Sequence, residues 1–186
     1  MKYISKFETI LGTGCVIASE IGICRVQLPG GVDNDLDLDN ACKIASPLTE
    51  QASRMLELYF KGQFQQFEIL PVDLGTLTHF RARILQLIRQ IPHGTAISYG
   101  EVAAMAGVPG AARAVGGAMA ANPVPVVIPC HRIVAGNGNL TGFTAPGGIT
   151  VKKLLLELEG LEIKGVATVK NTSVINKTKL VSKEIK

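Results

Sequence analysis

The sequence predicts an α/β protein of the α+β kind, in which a small sheet-plus-helix domain over residues 1–76 precedes a mainly helical domain over residues 77–165. Two patterns predict this class. Short apolar runs divided by turn residues fill the first segment, as in hairpin strands, whereas apolar residues recur at helical spacing several times after residue 77. A composition of 47% hydrophobic and 18% charged residues is that of a globular chain.

Local signals define the elements of the first domain. The runs KYISKFETI, GTGCVIAS and GICRVQLPGG are typical of hairpin strands. Residues 46–61 combine an apolar face with Pro47 near the start and Gly62 past the end, which predicts an amphipathic helix. The run QFQQFEILPVDL predicts a further strand that ends near Pro71. The linker at residues 74–78 then marks the domain boundary.

The second domain begins with a helical pattern from Leu77 onward. Ser98 followed by Glu101 predicts a capping box for a short helix that reaches about Ala106. A tight turn at residues 107–110 and a helix over ARAVGGAMAAN complete the outline of a helix-turn-helix, here of the winged type.

Three further segments complete the second half of the chain. The run NPVPVVIPCHRIV predicts an extended strand that carries Cys130 at its end. Residues 149–159 predict a helix that ends before Gly160. Residues 166–186 hold five Lys and one Glu without periodicity, which predicts a basic, flexible tail.

Charge is unevenly distributed along the chain. Residues 1–79 carry 6 basic and 10 acidic side chains, whereas residues 80–165 carry 8 and 4. This asymmetry favours a polyanionic partner for the second domain, although solvated surface alone also explains it. No apolar stretch approaches the roughly 18–20 residues of a membrane helix, so we expect no membrane partner and a cytoplasmic protein.

The candidate catalytic side chains lie together in the block Pro129-Cys130-His131-Arg132. A thiol becomes nucleophilic when a neighbouring group lowers its pKa or takes its proton. On a strand, adjacent side chains point to opposite faces, so His131 can serve Cys130 only through a turn or a bridging water. A carboxylate behind the imidazole would complete the arrangement, with Glu157 and Glu159 as candidates. A small buried cysteine beside a hydrogen-bonded core histidine is the alternative.

The runs ARAVGGAM, NPVPVVIPCHRIV, GFTAPGG and LLLELEG together resemble the O6-alkylguanine-DNA alkyltransferases, the methylated-DNA–protein-cysteine methyltransferase family. The resemblance extends from about Phe80 to Gly160 and more loosely into LYFKGQFQQFEILPVDL. It implies direct-reversal DNA repair by a single-turnover enzyme: a methyl or small alkyl group passes irreversibly from O6-alkylguanine in duplex DNA to Cys130. O4-alkylthymine is a second candidate lesion, and no cofactor is implied.

The same resemblance assigns roles to individual residues. Cys130 is the alkyl acceptor, His131 takes its proton through a water, and Glu159 orients the imidazole better than Glu157 would. Asn122 helps to hold the histidine and the turn around it. The guanine pocket is expected to be formed by Phe143, Thr144, Val134 and Pro129.

The resemblance also gives the helix-turn-helix a task, because the target nucleotide must leave the duplex to reach a buried thiol. Arg113 matches the residue that fills the vacated position, and Tyr99 matches the one that crowds the target phosphate. Ala111, Ala112 and Gly116 allow the helix to approach DNA closely. The implied partner is double-stranded DNA bound by a monomer.

Some positions of the sequence depart from the family pattern, and two other functions stay open. His93 stands where family members often have Tyr, and the loop at residues 145–148 is longer than in some relatives. Cys15 and Cys24 offer no match to the zinc cluster of some members, so no metal is expected.

A cysteine hydrolase would use the same Cys, His and Glu but turn over repeatedly. A non-catalytic lesion sensor would lack the acceptor cysteine, and Cys130 argues against it.

Overall fold

The computed structural model describes residues 1–31, 44–164 and 168–169. Its first half confirms the three predicted strands, which pair in the order β1-β2-β3 as an antiparallel sheet. β2 pairs along its whole length with β1, and a bulge at Ile17 and Ala18 interrupts its pairing with β3. The strand bounds are Tyr3–Thr9 for β1, Gly12–Ala18 for β2 and Ile23–Gln27 for β3.

The predicted amphipathic helix is confirmed as α1, Pro47–Phe60. Ser46 and Thr49 form a reciprocal capping box at its start, which satisfies amide groups that the first turn leaves without partners. Its apolar face, with Leu56 and Tyr59 buried, packs against β1 and β2. Helix α1 therefore covers one face of the sheet and carries Tyr59 toward the second half of the molecule.

The strand predicted over QFQQFEILPVDL is wrong. The segment forms a single 3₁₀ turn at Phe67–Ile69, and of its residues Val72 makes an isolated bridge to Ile23. The buried side chains Phe67 and Leu70 are three residues apart, which is the repeat of a 3₁₀ turn and not that of a strand. The proline at position 71 also lacks an amide to donate.

The second half holds the helix-turn-helix that the sequence predicts. Ser98 and Glu101 form the expected capping box. The two-residue strands β4 (Ile97–Ser98) and β5 (Ile133–Val134) pair in parallel beside it. The helices are α2 at His79–Arg89, α3 at Tyr99–Met105, α4 at Ala112–Ala120 and α5 at Gly148–Leu158. Near the end, β6 (Ile163–Lys164) pairs with β7 (Thr168–Val169). Apart from β7, the predicted tail lies outside the described residues.

The segment before Cys130 is a compact turn and not the extended strand that the sequence predicts. The amide of Ile128 donates to Val124 O at 2.9 Å, and Val126 has a φ of 71°. Positive φ is costly for a β-branched residue, so the surrounding packing must impose it. Prolines at positions 123, 125 and 129 cannot donate to a sheet ladder. Cys130–Arg132 then form one 3₁₀ turn, which leads into β5.

One apolar core connects both halves of the chain. Phe7 and Val16 in the sheet belong to the same buried cluster as Val115 and Leu155 in the helical half. The amide of Val26 in β3 also donates to Pro123 O at 2.9 Å. The N-terminal sheet thus packs directly on the segment that leads to Cys130. None of the described helices is long and apolar enough to span a membrane.

Candidate active site

The thiol of Cys130 is held at the first position of the 3₁₀ turn and is only 8% exposed. Asn122 Nδ2 lies 3.2 Å from Cys130 Sγ and 3.0 Å from Ile128 O, while Asn122 Oδ1 accepts from the amide of Val124 at 3.1 Å. One amide side chain therefore fixes both the turn and the thiol. Its hydrogen bonds go to these groups and not to His131, which the resemblance had also implied.

The thiol needs assistance to react. Burial raises the pKa of Cys130, and the Asn122 hydrogen bond and the charge of Lys152 act against that rise. Because the thiolate is the nucleophile, a proton acceptor has to lie nearby.

The adjacent residue in the chain, His131, is the candidate acceptor. Its ring is fully buried, and Nε2 lies 2.8 Å from Glu159 Oε1. Burial lowers the pKa of His131, although the Glu159 carboxylate acts to raise it. With Nε2–H donating to Glu159, Nδ1 carries the lone pair. Nδ1 is buried and has no hydrogen-bond partner within the protein, so it is the ring nitrogen whose lone pair is not already engaged.

Glu159 is the carboxylate of this site. It caps the end of α5, and its oxygens accept from the amide of Gly94 at 3.1 Å, from Arg132 Nε at 2.9 Å and from Tyr59 Oη at 2.9 Å. Burial acts to raise the pKa of Glu159, but attraction to His131 and Arg132 outweighs it and leaves the pKa well below its ordinary value. Glu159 is therefore ionised at neutral pH.

The other candidate carboxylate lies outside the site. Glu157 is exposed and forms a 3.7 Å surface pair with Lys153. A glycine is needed opposite Glu159, since Gly94 has a φ of 70° and a Cβ there would lie 3.1 Å from Glu159 O. Of the two acids that the sequence offered, Glu159 is the one that contacts His131. These two residues can form a proton relay, in which the carboxylate orients the imidazole.

Lys152 is a site residue that sequence reasoning missed. It is fully buried, and its ammonium donates to Ile133 O at 2.5 Å and Thr141 O at 2.6 Å. Burial lowers the pKa of Lys152 to about 8, while the nearby Cys130 acts to raise it. The signal was its position, because Lys152 falls on the apolar face of α5, three residues before Leu155.

We expect the stability of the protein to rise between pH 8 and pH 10 because of Lys152. Its folded-state pKa of about 8 is below the ordinary 10.5, so the unfolded chain binds more protons in this window and folding gains with rising pH. The gain is on the order of 2 kcal/mol. Urea unfolding at both pH values, wild type against Lys152→Met, measures it. A parallel change in the two proteins would contradict the assignment.

A cavity of about 390 Å³ opens beside Cys130. Phe143 and Thr144 line it, as the resemblance implied, together with Asn122. The N-terminal half also lines it, through β3, which includes Arg25, and through the residues after β3. The cavity is thus shared between the two halves of the chain, and the N-terminal wall was not foreseen.

Two predicted pocket residues do not line this cavity. Val134 is fully buried and packs with Ala96, Leu140 and Leu156 in a separate small cluster. Pro129 precedes the 3₁₀ turn and sets its geometry.

The helix-turn-helix places Arg113 on the exposed face of α4. Ala111 and Ala112, half-buried, form the start of that helix. Tyr99 contacts two neighbouring segments. Its ring packs over Gly116, and its hydroxyl donates to Thr141 O at 3.1 Å.

Tyr99 is also the reason for a glycine in the pocket loop. Gly142 has a φ of 60°, and a Cβ there would lie 2.4 Å from Tyr99 Oη. The loop that carries Phe143 and Thr144 is therefore tied to the helix-turn-helix through this tyrosine.

The chain resembles known proteins over most of its length. The family model for the 6-O-methylguanine DNA methyltransferase DNA binding domain matches residues 79–161. A methylated-DNA–protein-cysteine methyltransferase of Methanosarcina acetivorans is 34% identical over 158 residues, covering 85% of this chain and 98% of that protein.

Solved structures agree. A variant of the Mycobacterium tuberculosis O6-methylguanine methyltransferase matches with a TM-score of 0.73 and 32% identity, over 86% of this chain and 93% of that one. The Mycobacterium tuberculosis OGT in complex with DNA matches with a TM-score of 0.70 and 32% identity, over 84% and 92%. With these matches and a buried thiol, imidazole and carboxylate at Cys130, the chain belongs to the methylated-DNA–protein-cysteine methyltransferase family.

Proposed function

We propose that the protein removes a methyl or small alkyl group from O6 of guanine in double-stranded DNA and retains it on Cys130. The single observation that carries the proposal is the buried thiol at a cavity, backed by the 2.8 Å contact between His131 Nε2 and Glu159 Oε1. The adjoining helix-turn-helix supplies a surface for DNA. We further propose that the protein acts as a monomer in the cytoplasm.

The transfer is a displacement at the alkyl carbon. The thiol proton passes through a water to His131 Nδ1, which Glu159 keeps available by accepting from Nε2–H. Cys130 Sγ then forms a bond to carbon as the carbon–O6 bond breaks, and the guanine that leaves takes up one proton. A thioether resists hydrolysis, so no water regenerates the thiol and each molecule acts once.

The nucleotide has to rotate out of the duplex for this reaction, because a buried thiol cannot reach a stacked base. Arg113 is exposed on α4 and is proposed to enter the duplex in its place. Ala111, Ala112 and Gly116 present little bulk along the same helix. Tyr99 is proposed to contact the backbone of the extruded nucleotide while it supports the pocket loop.

Intact and peptide mass spectrometry tests the function. After incubation with duplex DNA that holds one O6-methylguanine, the wild type should gain one methylene, about 14 Da, on the Cys130 peptide and stop at one equivalent. Cys130→Ala should gain nothing. Cys24→Ala, which removes a second cysteine of the same cavity, is the matched control and should react like the wild type. Repeated turnover would indicate a hydrolase, and binding without a mass gain would indicate a lesion sensor.

A further inference from the structure

The buried hydroxyl of Tyr59 lies inside the relay that serves Cys130. Tyr59 belongs to α1 in the N-terminal half, 72 positions before His131 and 100 before Glu159. Its Oη lies 2.9 Å from Glu159 Oε1 and 3.3 Å from His131 Nε2, so the three atoms form a triangle. The side chain is only 2% exposed.

When His131 Nε2 carries hydrogen, the Tyr59 hydroxyl has one proton and two acceptors within reach. Glu159 Oε1 is at 2.9 Å and Leu155 O at 3.4 Å. The carboxylate is closer and charged, so it takes the hydrogen bond. Burial, followed by the charge of Glu159, raises the pKa of Tyr59 well above its ordinary value, and the phenol remains a donor.

This donation has a consequence for the imidazole. Glu159 Oε1 accepts from Tyr59 Oη, from His131 Nε2 and, at 2.9 Å, from Arg132 Nη2. Each donor reduces the negative charge that the other donors meet. We propose that Tyr59 is a positioning residue for alkyl transfer: it holds Glu159 so that His131 carries hydrogen on Nε2 and keeps Nδ1 as the proton acceptor for Cys130. The inference rests on the proposed function and extends its machinery into the N-terminal half.

All charged and titratable groups that face His131 enter the expected pH dependence. Glu159 and Lys152 come from α5, Tyr59 from α1, and Cys130 and Arg132 from its own turn. Without the Tyr59 hydroxyl, Glu159 attracts an imidazolium more strongly, and His131 keeps its proton to a higher pH. The acid limb of the profile of rate against pH should therefore move to higher pH.

The experiment measures the rate of Cys130 alkylation by iodoacetamide across pH for the wild type, Tyr59→Phe and Tyr3→Phe, with Cys24→Ala as the common background. In Tyr59→Phe the acid limb should move up by about one pH unit, so the rate falls about tenfold on that limb and recovers above it. Tyr3, on β1, is the matched control and should leave the profile unchanged. An equal loss at every pH, or an unshifted limb, would overturn the proposal.

A second substitution guards against a folding defect. Site-specific 3-fluorotyrosine at position 59 keeps the ring and makes the hydroxyl a stronger donor, so the acid limb should move the other way. Methyl transfer from O6-methylguanine duplex is followed in the same proteins. If the wild type takes no methyl but the iodoacetamide limbs shift as expected, the repair function fails and the role of Tyr59 in the relay stands. If methyl transfer occurs and no limb shifts, the repair function stands and Tyr59 is structural.

Discussion

Replacing Glu159 by Gln should lower alkyl transfer by about 10²–10⁴-fold, the usual contribution of a positioned acid–base group. The substitution should also reduce the free energy of unfolding by about 3–5 kcal/mol, because it leaves the guanidinium of Arg132 buried without its counter-charge. Arg132 Nε lies 2.9 Å from Glu159 Oε2, and its side chain is 5% exposed. Single-turnover transfer and urea unfolding at pH 7 measure the two effects.

The control for this prediction lies two residues away on the same helix. Glu157→Gln removes a carboxylate whose partner, Lys153, is on the surface, and it should change stability by less than about 0.5 kcal/mol. A Glu159→Gln protein as active as Glu157→Gln would remove Glu159 from the mechanism.

The same carboxylate makes the wild type sensitive to acid. Its folded-state pKa is below the ordinary 4.5, so its contribution to stability is fully present above pH 4.5 and is lost as the pH falls toward the folded value. Glu159→Gln should lack this part of the acid transition.

Arg113→Ala should slow repair of O6-methylguanine in duplex DNA by about 100-fold, because extruding a nucleotide costs a few kcal/mol and the arginine is proposed to offset part of it. The reaction with free O6-alkylguanine base needs no extrusion and should keep the wild-type rate. The comparison of the two substrates is the measurement.

The matched control removes a positive charge far from the helix-turn-helix. Arg54 is an exposed arginine on α1, and Arg54→Ala should leave both rates within about twofold of the wild type, as expected for one screened surface charge. An Arg113→Ala protein that loses activity on the free base as well would show that Arg113 supports the fold or the pocket instead.

Helices and capping boxes could be predicted from the sequence because their signals are local. Ser98 with Glu101, and the apolar face between Pro47 and Gly62, specify their elements through neighbours a few residues away. The segment before Cys130 could not be predicted this way. Its apolar run resembles a buried strand, and only tertiary packing holds Val126 at positive φ.

The candidate site divides in the same manner. Cys130 and His131 could be singled out from the block that holds them, and the resemblance favoured Glu159 over Glu157. The contact between His131 and Glu159 depends on a turn that periodicity did not reveal. Lys152 and Tyr59 lie on apolar helix faces, where a residue is ordinarily interpreted as part of the core. Their polar atoms take part in the site through hydrogen bonds to a carboxylate and a carbonyl that are far away in the sequence. No sequence pattern predicts these hydrogen bonds.

One buried core includes both Phe7 in the sheet and Leu155 in α5, so we expect the described part of the molecule to unfold as a single cooperative unit. Small domains with one core unfold in an all-or-none transition. Repair competence and the N-terminal sheet should therefore be lost at the same temperature. For a protein consumed by its own reaction, damage to a remote strand would then remove a usable acceptor from the cell as surely as alkylation does.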